Sequence, residues 1–265
     1  MIADALRAGR ELAYRLAGPA DALWRRLRGR PAVPPLWLRR HTGAVASFES
    51  SARDAVAFLD GLGLLAAGHR ILDVGCGAGA LVPELARRLG PDGAYVGFDV
   101  HVPSIRWCRR AFASDARFRF EVADVASPYG RPQGPPALRY RFPAEDASCD
   151  LVIAKSVFTH LLPAEAAHYL SETRRVLKPG STGVLTAFLF DPERPDGPRR
   201  AFPHAEPGGL VRFRLRSRPT AAVAYARPLF ETILAEAGLR LAWLSPGYYP
   251  GSETIGGQDT LLVGL

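Results

Sequence analysis

Residues 70–80 read Arg-Ile-Leu-Asp-Val-Gly-Cys-Gly-Ala-Gly-Ala, and this stretch decides the fold of the chain. The apolar residues that end at Val74 predict a short strand, and the glycines after it predict a tight turn. The leucines at positions 81, 85 and 89 then share one face of a helix predicted over Leu81–Leu89. A strand, a glycine turn and a helix bring backbone N–H groups and a positive helix end beside a ligand. The stretch therefore predicts a ligand-binding turn within an α/β fold.

The acidic residue Asp73 narrows the class of ligand. Gly75, Gly77 and Ala80 satisfy the Gly-x-Gly-x-x-Ala spacing of a dinucleotide fingerprint. Asp73 lies two residues before the first glycine, where its charge would repel a pyrophosphate but would suit an ammonium group. A proton-donating Tyr-Lys pair at short spacing is also missing from the sequence. Both features disfavour a dinucleotide oxidoreductase.

Strand and helix patterns alternate from residue 69 to the end of the chain, which predicts a parallel sheet with right-handed crossovers. The predicted strands are His69–Val74, Ala94–Asp99, Phe118–Ala123, Asp150–Ala154, Gly183–Phe190, Leu239–Leu244 and Asp259–Leu265. The predicted helices after the first are Pro103–Phe112, Ala164–Val176 and Ala226–Gly238. Two stretches rich in proline and glycine, residues 127–142 and 191–209, predict long loops of the kind that often cover active sites.

Five segments of this pattern resemble, in order, the motifs of the class I S-adenosylmethionine-dependent methyltransferases. They are Asp73–Gly79, Tyr95–Asp99, Phe118–Asp124, Cys149–Ala154 and Arg175–Gly180. Phe158-Thr-His-Leu161 also resembles a signature found after the fourth strand in one subset of the family. The resemblance runs from about residue 50 to residue 265. It implies a three-layer, Rossmann-like α/β fold with a seven-stranded, mostly parallel sheet, and S-adenosylmethionine as the cofactor.

The resemblance also implies which residues bind the cofactor. They are Asp73, Gly75, Cys76, Gly77, Gly79, Asp99, Val100, Asp124, Val125 and Lys155. By resemblance, the Asp99 carboxylate accepts hydrogen bonds from the ribose hydroxyls, while Asp124 and the Val125 backbone N–H contact the adenine. The chain at Lys155 is expected to pass beneath the cofactor, with its backbone carbonyl towards the methionine ammonium and its own charge pointing away.

His160 is the predicted catalytic residue. It lies just past the fourth strand, at the end of the sheet that faces the cofactor in this family, and an imidazole accepts a hydroxyl proton near neutral pH. The alternative is a structural histidine that caps the next helix or lines the cofactor pocket. The fourth strand is not followed by the Asn-Pro-Pro-Tyr/Phe motif, which argues against methylation of nucleobase or glutamine nitrogen. We expect O-methylation of a small molecule or sugar. C- or N-methylation and a non-catalytic cofactor-binding protein are the alternatives.

Composition and cysteine spacing limit which class of protein the chain can belong to. A chain of 265 residues with 48% hydrophobic content is long enough for one large core. The cysteines Cys76, Cys108 and Cys149 are far apart and have neither disulfide nor metal-site spacing, so we expect no bound metal. The sequence has no apolar run of about eighteen residues and no secretory signal pattern. These features predict a cytoplasmic protein.

The net charge of +8 is unevenly distributed, because arginines crowd the first forty residues. They are Arg7, Arg10, Arg15, Arg25, Arg26, Arg28, Arg30, Arg39 and Arg40. We expect residues 1–47 to form an arginine-rich helical segment or lid, and residues 48–265 the cofactor-binding domain. The segment is expected to dock on the domain through Trp24, Leu27, Leu36, Trp37 and Leu38. Peripheral contact with an anionic membrane is the alternative, and the absence of an aromatic-interleaved basic platform disfavours nucleic acid.

Overall fold

The computed structural model describes residues 9, 12–14, 16–29, 33–39, 45–131, 133–193, 201–247 and 257–265. The chain divides into two compact units. The first comprises Met1–Gly68 and Cys76–Val122, and the second comprises His69–Gly75 and Ala123–Leu265. The predicted boundary between residues 47 and 48 falls inside the first unit and stays a prediction. Of the arginines named above, Arg7, Arg10, Arg15, Arg30 and Arg40 lie outside the described residues.

The first unit contains a parallel pair of strands with helices. The strands are β2 (Ala94–Asp99) and β3 (Phe118–Val122), and the helices are α1 (Gly18–Leu27), α2 (Leu36–Arg39), α3 (Phe48–Gly61), α4 (Val82–Leu85) and α5 (Val102–Ala111). Tyr95 is fully buried, and its ring centroid lies 5.4 Å from that of Phe118 and 5.8 Å from that of Phe120. These aromatic contacts hold the two strands in register.

Helix α4 is shorter than the predicted helix over Leu81–Leu89. After Leu85, the N–H groups of Arg87 and Arg88 bond to carbonyls three residues back, at 3.3 and 2.9 Å. Bonds of this spacing tighten the chain into turns instead of extending an α-helix. The Gly90-Pro91 pair then ends the segment.

The second unit contains a sheet whose core strands are parallel. Strand β1 (Arg70–Val74) pairs with β4 (Cys149–Ala154), which pairs with β5 (Leu177–Phe190). Strand β10 (Asp259–Gly264) is antiparallel to β5 and to β9 (Arg240–Ser245). The helices of this unit are α6 (Pro163–Val176) and α7 (Arg227–Glu236). Residues 151–154 of β4 are all buried, as expected for a parallel strand covered on both faces.

Three further short strands extend the second unit. They are β6 (His204–Ala205), β7 (Val211–Phe213) and β8 (Val223–Ala226); β8 runs parallel to the end of β5, and the other pairings are antiparallel. A small core of Phe190, Phe202, Ala222, Ala224 and Ala226 packs beneath them. The α/β class and all seven predicted strands are thus confirmed, whereas these three strands were not predicted. Strand β6 lies in the stretch predicted as loop, and β5 begins six residues before its predicted start.

Helix α1 does not pack as predicted. Leu38 is buried, but Trp24 and Leu27 are 49% and 79% exposed, so the expectation that these two residues dock on the domain is wrong. The physical reason is that α1 turns its charged side inward, where Arg25 bonds to Asp21 and to the carbonyl of Val33. Among the described residues, the helices are all too short or too polar to cross a membrane.

Candidate functional site

The glycine turn in the first unit is held tightly. The N–H of Cys76 donates to the carbonyl of Phe98 at 3.0 Å. Gly77 and Gly79 have φ angles of 54° and 69°, a left-handed conformation that favours glycine. A Cβ atom on Gly79 would lie 3.1 Å from Sγ of Cys108. The left-handed conformation therefore favours glycine at position 79, and a Cβ atom there would make a tight contact with Cys108.

Asp99, at the end of β2, is bound to this turn. Its Oδ2 accepts the N–H of Gly77 at 2.8 Å, and its Oδ1 accepts the N–H of His101 at 2.7 Å. Desolvation raises the pKa of Asp99 above its usual value, although the backbone N–H groups of Gly77, His101 and Val100 act in the opposite direction. A carboxylate has about four acceptor positions. At least one acceptor position therefore remains for a ligand hydroxyl such as that of a ribose. Val100 follows directly and is partly exposed.

Asp73 and Gly75 belong to the second unit. Asp73 is 3% exposed and lies opposite Ile153 of β4 in the sheet register. Gly75 has a φ of 70°, and a Cβ atom there would come within 2.6 Å of Cγ2 of Val157. Only glycine allows the backbone after β1 to pass this close to the chain that follows β4.

Three other predicted cofactor residues of the second unit have different environments. Asp124 is exposed, and its Oδ1 lies 2.8 Å from a guanidinium nitrogen of Arg131. Val125 is buried, and its N–H donates to the carbonyl of Ala123 at 3.0 Å. Lys155 is exposed at the end of β4. Their roles in cofactor binding stay predictions.

His160 ends a short 3-10 turn, Phe158–His160, that follows β4. Its Nδ1 lies 3.0 Å from the carbonyl oxygen of Thr220 and 3.2 Å from the hydroxyl of Tyr129. Because a carbonyl oxygen only accepts hydrogen bonds, Nδ1 carries the hydrogen, and Nε2 of the neutral ring is left as the acceptor. The Tyr129 ring meets the imidazole edge-on, with the centroids 4.9 Å apart.

Burial and charge both favour the neutral form of this histidine. Desolvation lowers the pKa of His160 most strongly, and the positive charge of Arg214 lowers it further. The hydrogen bond to Thr220 raises the pKa but does not cancel these effects. These effects favour the uncharged ring, in which Nε2 is the acceptor nitrogen. His160 is a prediction from the sequence, whereas its neighbours Tyr129, Arg214 and Thr220 were not predicted, because they lie in irregular segments with no local motif.

A second polar cluster includes Ser156, which lies two residues after the end of β4. Ser156 has a left-handed φ of 62°, and its N–H donates to Oγ1 of Thr186 at 2.7 Å. The hydroxyls of Ser156 and Thr186 both donate to Oε1 of Gln258, at 3.0 and 2.6 Å. These bonds fix the orientation of the Gln258 amide. They also hold Ser156 in a left-handed conformation that non-glycine residues rarely adopt.

Comparisons with known proteins agree with the motifs. A family model described as a methyltransferase domain matches residues 71–180. Nocamycin O-methyltransferase of Saccharothrix syringae is 37% identical over 122 residues, which cover 45% of this chain and 38% of that protein. Fatty-acid O-methyltransferase of Mycolicibacterium smegmatis is 33% identical over 128 residues, which cover 48% and 38%. This chain therefore spans less than half the length of these curated relatives.

A solved structure shows the same fold. The S-adenosylmethionine-dependent methyltransferase from Methanosarcina mazei superposes with a TM-score of 0.53 at 21% identity, covering 76% of this chain and 94% of that one. At this identity the likeness concerns the fold. Over residues 71–180 the chain is similar to a methyltransferase domain, in agreement with the ordered motifs that resemble the class I S-adenosylmethionine-dependent methyltransferases.

Proposed function

We propose that this chain is an enzyme that methylates a hydroxyl oxygen of a small molecule or sugar, with His160 as the general base. S-adenosylmethionine, when bound, supplies a methyl group on a positively charged sulfur atom. The observation that carries the proposal is the 3.0 Å contact between Nδ1 of His160 and the carbonyl oxygen of Thr220. This contact selects the tautomer whose Nε2 is ready to accept a proton.

The chain offers residues suited to each part of the cofactor. Asp99 retains acceptor capacity for a ribose hydroxyl, because the backbone N–H groups of Gly77, His101 and Val100 account for three of its about four acceptor positions. Asp73 supplies a negative charge that suits the amino group of the methionine moiety. Gly77 and Gly79 leave the backbone of the turn without side chains that would block close approach.

The proton step follows from the environment of His160. As the acceptor hydroxyl becomes nucleophilic, its proton moves to Nε2 of His160. The ring then carries a positive charge, and the carbonyl of Thr220 stabilises the Nδ1–H that faces it. The lowered pKa of His160 makes the protonated ring release its proton readily to solvent, which restores the neutral base.

Two of the curated relatives, those from Saccharothrix syringae and Mycolicibacterium smegmatis, are O-methyltransferases by name, which supports oxygen as the accepting atom. The test is a methyl-transfer assay with labelled S-adenosylmethionine and a panel of phenols, sugars, carboxylic acids, amines and activated carbon acids. We expect product only from hydroxyl acceptors, and we expect that product to depend on His160. Methyl transfer restricted to amines or carbon acids would contradict the proposal. Methyl transfer to carboxylates that does not depend on His160 would contradict the role of His160 as general base.

A further inference from the structure

The N-terminal helical segment exposes an unusual amount of apolar surface. Twelve large apolar side chains are exposed among the described residues, and five of them lie between residues 12 and 27. They are Leu12, Leu16, Leu23, Trp24 and Leu27, with exposures between 49% and 79%. Single exposed leucines are ordinary on a protein surface, but a concentration of this kind marks an interaction surface.

The four leucines lie on one side of the segment. Their spacings of four, seven and four residues keep them close together at about 100° per helical residue. We call Leu12, Leu16, Leu23 and Leu27 the leucine face. Trp24 lies beside it, and the guanidinium of Arg28 lies over the Trp24 ring at 5.7 Å from its centroid.

The charged residues that anchor α1 point in the opposite direction. Asp21 and Arg25 are about half a turn away from the leucine face by the same spacing. Nε of Arg25 bonds to Asp21 at 2.9 Å, while Nε of Arg39 bonds to the carbonyl of Pro34 at 2.8 Å and its guanidinium also pairs with Asp21. Polar contacts thus hold α1 to residues 33–39, and its apolar side is left towards solvent. This arrangement is the reverse of a normal surface helix.

Among the described residues, the exposed charges nearest the leucine face are positive: Arg26 adjoins this face by helical spacing, and Arg28 lies over the Trp24 ring. Arg26 and Arg28 are exposed, whereas Asp21, the one acidic residue of α1, is occupied by Arg25 and Arg39. An exposed apolar face bordered by arginines and a tryptophan has the chemistry of a helix that lies in a membrane interface. The positive border is complementary to anionic headgroups.

We propose that α1 and the helical residues before it form a docking surface for an anionic phospholipid membrane. The leucine face enters the boundary between headgroups and acyl chains, Trp24 lies at the headgroup level, and Arg26 and Arg28 contact the lipid phosphates. The proposal rests on exposed residues of the first unit and does not depend on the catalytic role of His160.

The test is co-sedimentation of the full chain with vesicles of phosphatidylcholine alone or of phosphatidylcholine mixed equally with phosphatidylglycerol. We expect binding to the mixed vesicles that weakens as salt is raised. Leu23→Ser with Leu27→Ser should lower binding by more than about tenfold, because two buried leucine side chains are lost. Arg26→Gln and Arg28→Gln should each lower it by about fivefold.

Matched controls come from the second unit. Leu210→Ser removes a leucine that is 42% exposed, and Arg216→Gln removes an exposed arginine, so neither should change vesicle binding. Circular dichroism checks that each variant is folded. Equal binding to neutral and anionic vesicles, or no binding at low salt, would overturn the proposal. So would a dimer in sedimentation velocity that Leu23→Ser with Leu27→Ser converts to monomer, since the leucine face would then bind a second copy.

Discussion

Nδ1 of His160 lies 3.0 Å from the carbonyl oxygen of Thr220, a residue 60 positions further along the chain. The contact joins the turn after β4 to the 3-10 turn Pro219–Ala221, which precedes β8. It makes Nδ1 the protonated nitrogen of the ring and Nε2 the acceptor. The short strands β6 to β8 thereby acquire a role, because they position the segment that sets the tautomer of the proposed base.

Removal of the imidazole should affect chemistry and leave cofactor binding intact. We expect His160→Ala to lower turnover on the true acceptor by about 10²–10⁴-fold, the usual contribution of a general base. The dissociation constant for S-adenosylmethionine should change by less than about threefold, because only the proton acceptor has been removed. Steady-state kinetics and titration calorimetry on the same protein separate the two effects.

His168→Ala is the matched control for this variant. The ring of His168 also bonds to a backbone carbonyl, with Nε2 2.8 Å from the oxygen of Tyr140, but it lies on α6. Its loss should leave turnover unchanged. Unchanged turnover in His160→Ala would show that His160 has only a structural role. A loss of cofactor affinity as large as the loss of turnover would show that His160 lines the cofactor pocket.

The pH dependence of turnover should report the lowered pKa of His160. Since the base is active only when neutral, turnover should rise with pH through the pKa of His160 and level off above it. Burial and Arg214 lower this pKa, so the midpoint of the rise should lie below the ordinary histidine value of 6.5. Arg214→Gln removes a positive charge and should move the midpoint to higher pH. A midpoint above the ordinary value, or a downward shift in the variant, would contradict this assignment.

The close packing at Gly75 should be detectable as a loss of free energy of unfolding when a side chain is added there. Gly75→Ala must hold a side chain at a φ of 70° and 2.6 Å from Cγ2 of Val157, so we expect it to lower the free energy of unfolding by about 2–4 kcal/mol. Gly63→Ala has a similar φ of 69° in open space, and it should lose only about 1–2 kcal/mol. Urea unfolding measures both. Equal losses would show that the contact with Val157 relaxes at no cost.

The sequence predicts the main strands because their signals are local. Residues such as Ile71 and Leu151 lie in short apolar runs that end at glycine, aspartate or polar residues. In the structure these runs form strands β1 and β4. Strand β8 escapes prediction because Val223–Ala226 is only four residues long and directly precedes a helix. Helix α4 is shorter than its leucine spacing suggests, because turns replace the helix after Leu85.

The candidate site is only partly predictable from the sequence, because many of its contacts join distant positions of the chain. The identity of Asp99 and His160 follows from motifs that lie at strand ends. The partners that set their chemistry come from distant positions, such as Tyr129, which is 31 residues from His160 and lies in a stretch of glycine and proline. A single sequence carries no local signal for such contacts, because they depend on how separate segments pack together.

The most direct test is which cofactor this protein binds. It is made by isothermal titration with S-adenosylmethionine and, separately, with NADH. We predict that S-adenosylmethionine binds with a dissociation constant on the order of micromolar, about 8 kcal/mol of binding free energy. Asp99→Ala should weaken this binding by about 1.5–3 kcal/mol because charge-assisted hydrogen bonds are lost, while Asp92→Ala, at an exposed turn, should not change it. Preferential binding of NADH, or an Asp99→Ala loss of only a few tenths of a kcal/mol, would contradict the account.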